Sequence, residues 1–218
     1  MQTSDIPKAI RILKQEYGRF KTPYVTEVAA RGKDPFKVLI SCILSLRTKD
    51  DVTRGASTRL FRIADTPQRI SSLTAKEIEK TIYPAGFYRV KSGVIRDISR
   101  ELAENHDNKV PDTIEGLLKL KGVGRKTANL VVTMGYGKPG ICVDTHVHRI
   151  VNRWGFVDTK TPDETEFALR KKLDKRYWII LNDLLVAFGQ NVCKPVSPFC
   201  GRCRLNDLCR RTGVLKSR

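Results

Sequence analysis

The stretch Lys121-Gly122-Val123-Gly124-Arg125-Lys126 constrains this chain more than any other, because two glycines flank one apolar residue at a point where helical patterning stops and restarts. Ile114, Leu117 and Leu118 end one short amphipathic segment, and Ala128, Leu130 and Val131 begin another. Gly122 and Gly124 allow a tight turn at positive φ, so the spacing predicts two helices joined by a hairpin. The first backbone N–H groups of the second helix then have no helical partner and no bulky side chain over them, which makes an anion site. With 41 lysines and arginines against 23 acidic residues, a formal net charge of +18, the anion that suits this chain is a phosphate of nucleic acid. The charge alone does not choose DNA over RNA.

Lys126 falls in the first turn of the second helix, where the positive end of the helix dipole disfavours a further positive charge. An amine placed there loses its proton more readily than a surface lysine, as a nucleophile must. Downstream, Val143-Asp144-Thr145-His146 sets a carboxylate at the N-cap of the next helix, able to stabilise a developing cation or to help move a proton. The plainer account stays open at this point: an ordinary loop, a solvated lysine and a capping aspartate.

The rest of the chain reads as helix throughout. Ser4 or Asp5 caps a first helix with Pro7 in its first turn, an apolar face of Ile6, Ile10, Leu13 and Tyr17, and Gly18 at its end. Asp34-Pro35 opens a second whose Val38, Leu39, Ile40, Ile43 and Leu44 are dense enough for a central buried position. Further starts lie at Thr48 to Asp51, at Thr66-Pro67, and at Thr74 with Glu77 as a capping box. Val90, Val94, Ile98 and Leu102 form another stripe. Later helices are expected at Thr145 to Arg153, from Thr161-Pro162, and from Trp178 to Phe188 with Gly189 closing it. No pair of alternating strand patterns occurs, so the expected class is all-α. No long apolar run and no cleavable N-terminal signal is present, which leads us to expect an intracellular, soluble protein, cytoplasmic and nucleoid-associated if prokaryotic.

Six cysteines divide into two kinds. Cys42 and Cys142 sit in apolar runs and read as buried thiols. Cys193, Cys200, Cys203 and Cys209 follow the spacing C-x6-C-x2-C-x5-C, too crowded for independent disulfides in a reducing compartment. A tetrathiolate metal site is the expectation, and the donor set alone suits zinc or a four-iron cluster. Of the histidines, none of His106, His146 and His148 is placed in the chemistry.

Leu120 to Asn129 resembles the helix-hairpin-helix of the endonuclease III family of base-excision DNA glycosylases, with Lys121 where that family usually has proline. Val143-Asp144-Thr145-His146 resembles its catalytic-aspartate segment, and the four terminal cysteines resemble its iron–sulfur loop. The matches run in family order from about Asp34 to Cys209. The resemblance implies a middle helical domain over 28–138 and a second domain built from 1–27 and 139–218, with the active site in the cleft between them. It also implies a [4Fe–4S] cluster on Cys193, Cys200, Cys203 and Cys209, with nearby arginines presenting charge to the DNA backbone. Gly122, Val123 and Gly124 would hold DNA phosphate.

Two loops are implied to wedge into the duplex when a base is extruded. Arg47 stands where relatives insert glutamine, and Phe87 where they commonly have leucine; for Phe87, a place in the core is the competing account. Cys42 occupies the position at which related adenine-specific mismatch glycosylases carry a catalytic glutamate, which argues against adenine excision. The implied activity is that of a bifunctional glycosylase and abasic-site lyase acting on oxidised or ring-saturated pyrimidines in double-stranded DNA. Lys126 would attack C1′ and Asp144 would assist. A monomer that does not engage membranes is expected. The alternatives are a monofunctional thymine or uracil mismatch glycosylase, against which Lys126 speaks, and a non-enzymatic DNA-binding module, which would not need both Lys126 and Asp144.

Overall fold

The computed structural model describes residues 1–218, and they form helices and turns with no strand. The chain divides into two compact units, one of Tyr24–Lys138 and one of Met1–Pro23 with Pro139–Arg218. No helix is long and apolar enough to cross a membrane.

In the unit Tyr24–Lys138, the organising element is α3 (Pro35–Ser45). Its N-terminus is fixed by Asp34, whose Oδ1 accepts from the amides of Phe36 and Lys37, and by Pro35 in the first turn. Every residue from Val38 to Leu44 is buried, as a helix apolar on all faces requires. Around it pack α2 (Tyr24–Ala30), α4 (Asp50–Ile63), α7 (Tyr88–Asn105) and α9 (Arg125–Leu130), the last continuing into a π-helical turn at Val131–Gly135. Pro35 also touches Gly135 closely: a Cβ on that glycine would lie 3.0 Å from the Pro35 Cα. The short helices α5 (Pro67–Ser71) and α6 (Ala75–Ile82) lie against α7, each started by a threonine cap at Thr66 and Thr74. The stripe on α7 begins later than its spacing implies, for Val90 is 65% exposed while Ile95, Ile98 and Leu102 are buried. Helix α2 has no counterpart among the expected elements.

In the other unit, α1 (Ile6–Tyr17) buries Ile6, Ala9, Ile10 and Leu13 against α12 (Trp178–Asn191). Helices α10 (Thr145–Arg153) and α11 (Pro162–Lys172) complete the core with Trp154 and Phe156, and Trp178 donates its indole N–H to Leu173 O at 2.9 Å. Helix α12 runs through Gly189 instead of stopping there.

Candidate active site

The hairpin lies between α8 (Ile114–Leu118) and α9. Thr113 caps α8 by accepting from the Gly116 amide, and the turn closes through Leu120 N–H to Leu117 O and Val123 N–H to Leu120 O. Gly122 has φ +93°, and a Cβ there would lie 2.6 Å from Val94 Cγ1, so both its conformation and its space demand glycine. Gly124 differs from the expected left-handed pair: it is extended at φ −92° and serves as the N-cap of α9. Nothing lies within 4 Å of where its Cβ would be, so it leaves the start of the helix uncovered. Val123 is buried and its N–H is used inside the turn, so it anchors the hairpin.

Lys126 is half-buried in the first turn of α9. Its charge is felt by Cys42 in the middle of α3: burial pushes that thiol up to about 12, and Lys126 opposes the rise. Cys142 is likewise buried. Asp144, in the other unit, is 9% exposed and caps α10, its Oδ1 accepting from the amides of His146 at 2.8 Å and Val147 at 2.9 Å. Two backbone amides therefore fix the orientation of this carboxylate.

The structure brings Arg47 and Phe87 together. The Arg47 guanidinium stands 5.6 Å from the centroid of the Phe87 ring, and both residues hold left-handed backbone, at φ +50° and +57°. Phe87 is 58% exposed, so it is not a core aromatic.

The expected [4Fe–4S] cluster and metal-binding site are corrected. Cys193, Cys200, Cys203 and Cys209 are free, half-buried thiols along one cavity with Trp154, Phe188 and Phe199. No group of three or more histidine, cysteine, aspartate or glutamate side chains is arranged to hold a metal ion. Burial pushes the thiol of Cys203 up to about 11 and raises that of Cys209 as well. Two arginines of α10, which the sequence did not single out, hold this loop. Arg149 donates to Cys193 O at 2.8 Å, and Arg153 donates to Cys193 Sγ at 3.4 Å, Lys194 O at 2.7 Å and Pro195 O at 2.6 Å.

Residues 40–175 match the family described as HhH-GPD superfamily base excision DNA repair protein. The endonuclease III of Thermotoga maritima is 49% identical over 183 residues, which cover 83% of this chain and 86% of that one. That of Haemophilus influenzae is 37% identical over 175 residues, covering 80% and 83%. Among solved structures, a trapped endonuclease III–DNA covalent intermediate superimposes with a TM-score of 0.84 at 31% identity over 97% of each chain. A non-covalent endonuclease III–DNA complex gives 0.85 at 32% identity over 97% of this chain and 96% of that one. The chain belongs to the endonuclease III family of the HhH-GPD superfamily, whose members are bifunctional DNA glycosylases and abasic-site lyases.

Proposed function

We propose that this protein removes oxidised or ring-saturated pyrimidines, thymine glycol among them, from double-stranded DNA, with Lys126 as nucleophile and Asp144 as its carboxylate partner. The hairpin around Gly122 and Gly124 engages the phosphate backbone while Arg47 and Phe87 fill the space left by the extruded base. The neutral amine of Lys126 attacks C1′ of the deoxyribose and the base departs. Asp144 takes the proton released by the amine or stabilises positive charge on the sugar. The resulting Schiff base joins Lys126 to the opened sugar. Loss of a C2′ proton then breaks the C3′–O bond, which cuts the strand on the 3′ side of the lesion.

The observation that carries this reading is the seat of Lys126. It is half-buried in the first turn of α9, directly after the turn made by Gly122 and Gly124, on a helix packed against α3. The test is borohydride trapping on a duplex containing thymine glycol, with a preformed abasic duplex as control. The parent protein should yield a covalent adduct with both, and Lys126→Ala with neither. An adduct from Lys126→Ala at the parental rate refutes the nucleophile. Trapping of the abasic duplex alone keeps the amine chemistry and refutes the substrate.

A further inference from the structure

Lys91, in the first turn of α7, is 6% exposed, and no carboxylate pairs with it. Lysines are rarely buried in this way without a partner of some kind. Its ammonium instead donates to Leu44 O at 2.7 Å, Leu46 O at 2.6 Å and the Thr48 hydroxyl at 2.8 Å, so all three of its N–H bonds are used. The two carbonyls belong to the C-terminal end of α3, where a cation is favoured. The Thr48 hydroxyl is saturated too: it accepts from Lys91 and from the Gly86 amide at 3.1 Å, and it donates to Leu46 O at 3.2 Å.

These bonds join two segments far apart in sequence. Arg47 lies inside the first, between Leu46 and Thr48. Phe87 lies inside the second, between Gly86 and the start of α7, where the Lys91 amide donates to Phe87 O at 2.9 Å. The backbones themselves touch, since a Cβ on Gly86 would lie 2.3 Å from Arg47 O. Left-handed backbone at two residues with side chains persists only where the surroundings over-determine it. Here the surroundings are this network.

We propose that Lys91 is a positioning residue for base extrusion: with Thr48 it locks the Arg47 loop onto the Phe87 turn, so that both side chains meet the duplex as one preassembled wedge. This rests on the reading of Arg47 and Phe87 as the wedge. Holding the two side chains in advance removes the ordering cost that would otherwise fall on the extrusion step. Removing the lock therefore slows extrusion more than it slows chemistry on a sugar that has already lost its base.

The experiment follows the fluorescence of 2-aminopurine next to thymine glycol in stopped flow, alongside strand cleavage at a preformed abasic site, using the full chain. Lys91→Met and Thr48→Val should each slow unstacking by about tenfold or more, and abasic cleavage by less than about threefold. Thr48→Ser, which keeps the hydroxyl, should stay within about twofold of the parent in both. The double variant Lys91→Met/Thr48→Val should be no slower than the slower single, because both changes open the same network. Equal losses in the two assays would reduce Lys91 to a general structural role and overturn the proposal, as would parental unstacking in both single variants. Should Lys91→Met fail to fold, Thr48→Val decides, since Thr48 is half-exposed and valine nearly matches its shape. Phe87→Ala separates the two ideas. If it unstacks DNA at the parental rate, the wedge falls and the lock with it; if it is slow while Thr48→Val is not, the lock alone falls.

Discussion

Gly189 faces the imidazole of His146 so closely that a Cβ on it would lie 2.4 Å from Nδ1 and 2.9 Å from Arg149 Nη2. Alanine is the better helix former by about 1 kcal/mol, yet at this position the overlap forces His146 and Arg149 to move, a strain of about 1–3 kcal/mol. Strain should win. Gly189→Ala is expected to lower the melting temperature by a few degrees, roughly 2–4 °C per kcal/mol in a chain of this size. The His146 amide also binds Asp144 Oδ1, so turnover should slow as well. A rise in melting temperature would show that His146 yields freely.

Asp144 has a structural role and a proposed chemical one, and they separate by substitution. Asparagine caps a helix as well as aspartate does, whereas alanine loses about 1 kcal/mol. Asp144→Asn should therefore melt within a degree or two of the parent and give no cleaved product, while Asp144→Ala should lose both stability and activity. Calorimetry paired with strand cleavage on the thymine glycol duplex checks this. Parental turnover in the asparagine variant would remove Asp144 from the reaction.

Much of the fold was legible because its signals act over three or four residues. Asp34 with Pro35, Thr74 with Glu77, and Thr161 with Pro162 each mark a helix start that the structure contains. Helix α2 was not legible, because the carboxylate that receives its first amide, at Tyr24, belongs to Asp50, 26 residues further on. Gly189 reads as a stop signal but is kept for the approach of His146, a tertiary reason. Lys91 looks like any basic residue until the carbonyls of Leu44 and Leu46 are brought to it. At the hairpin, spacing predicted the positive-φ turn that the structure has at Gly122 but could not say that Gly124 would be extended. Cysteine spacing predicts a metal site that the structure does not contain, because the four side chains line a cavity as free thiols and are not grouped around an ion.

The Thr74–Glu77 capping box predicts a pH dependence. Glu77 accepts from the Thr74 amide at 2.8 Å and from its hydroxyl at 2.7 Å, and these bonds hold its carboxyl below the usual range, the amide contributing most. A depressed folded-state pKa means the stabilisation is fully present above the unfolded value, near 4.5, and is lost as pH falls through the folded one. In Glu77→Gln the drop in denaturant midpoint between pH 7 and pH 3.5 should be smaller than in the parent. Equal drops would mean that the charge on Glu77 does not bear on stability.

Cys42 reports on the burial of α3. It is 1% exposed, and with its thiol pushed up to about 12, the thiolate fraction at pH 8 is on the order of 10⁻⁴. Alkylation requires the thiolate and an open path. At pH 8, N-ethylmaleimide should label half-buried Cys200 well before Cys42, and Cys42 should react only as fast as the helix opens, its rate rising with denaturant along the unfolding curve. Lys126→Ala removes the one charge that opposes the upward shift, so labelling of Cys42 should slow or stay level in that variant. Faster labelling there would mean that the lysine's methylenes, more than its charge, matter to Cys42 by covering it. Labelling of the folded parent at the rate of free cysteine would contradict the placement of α3 at the centre of its unit.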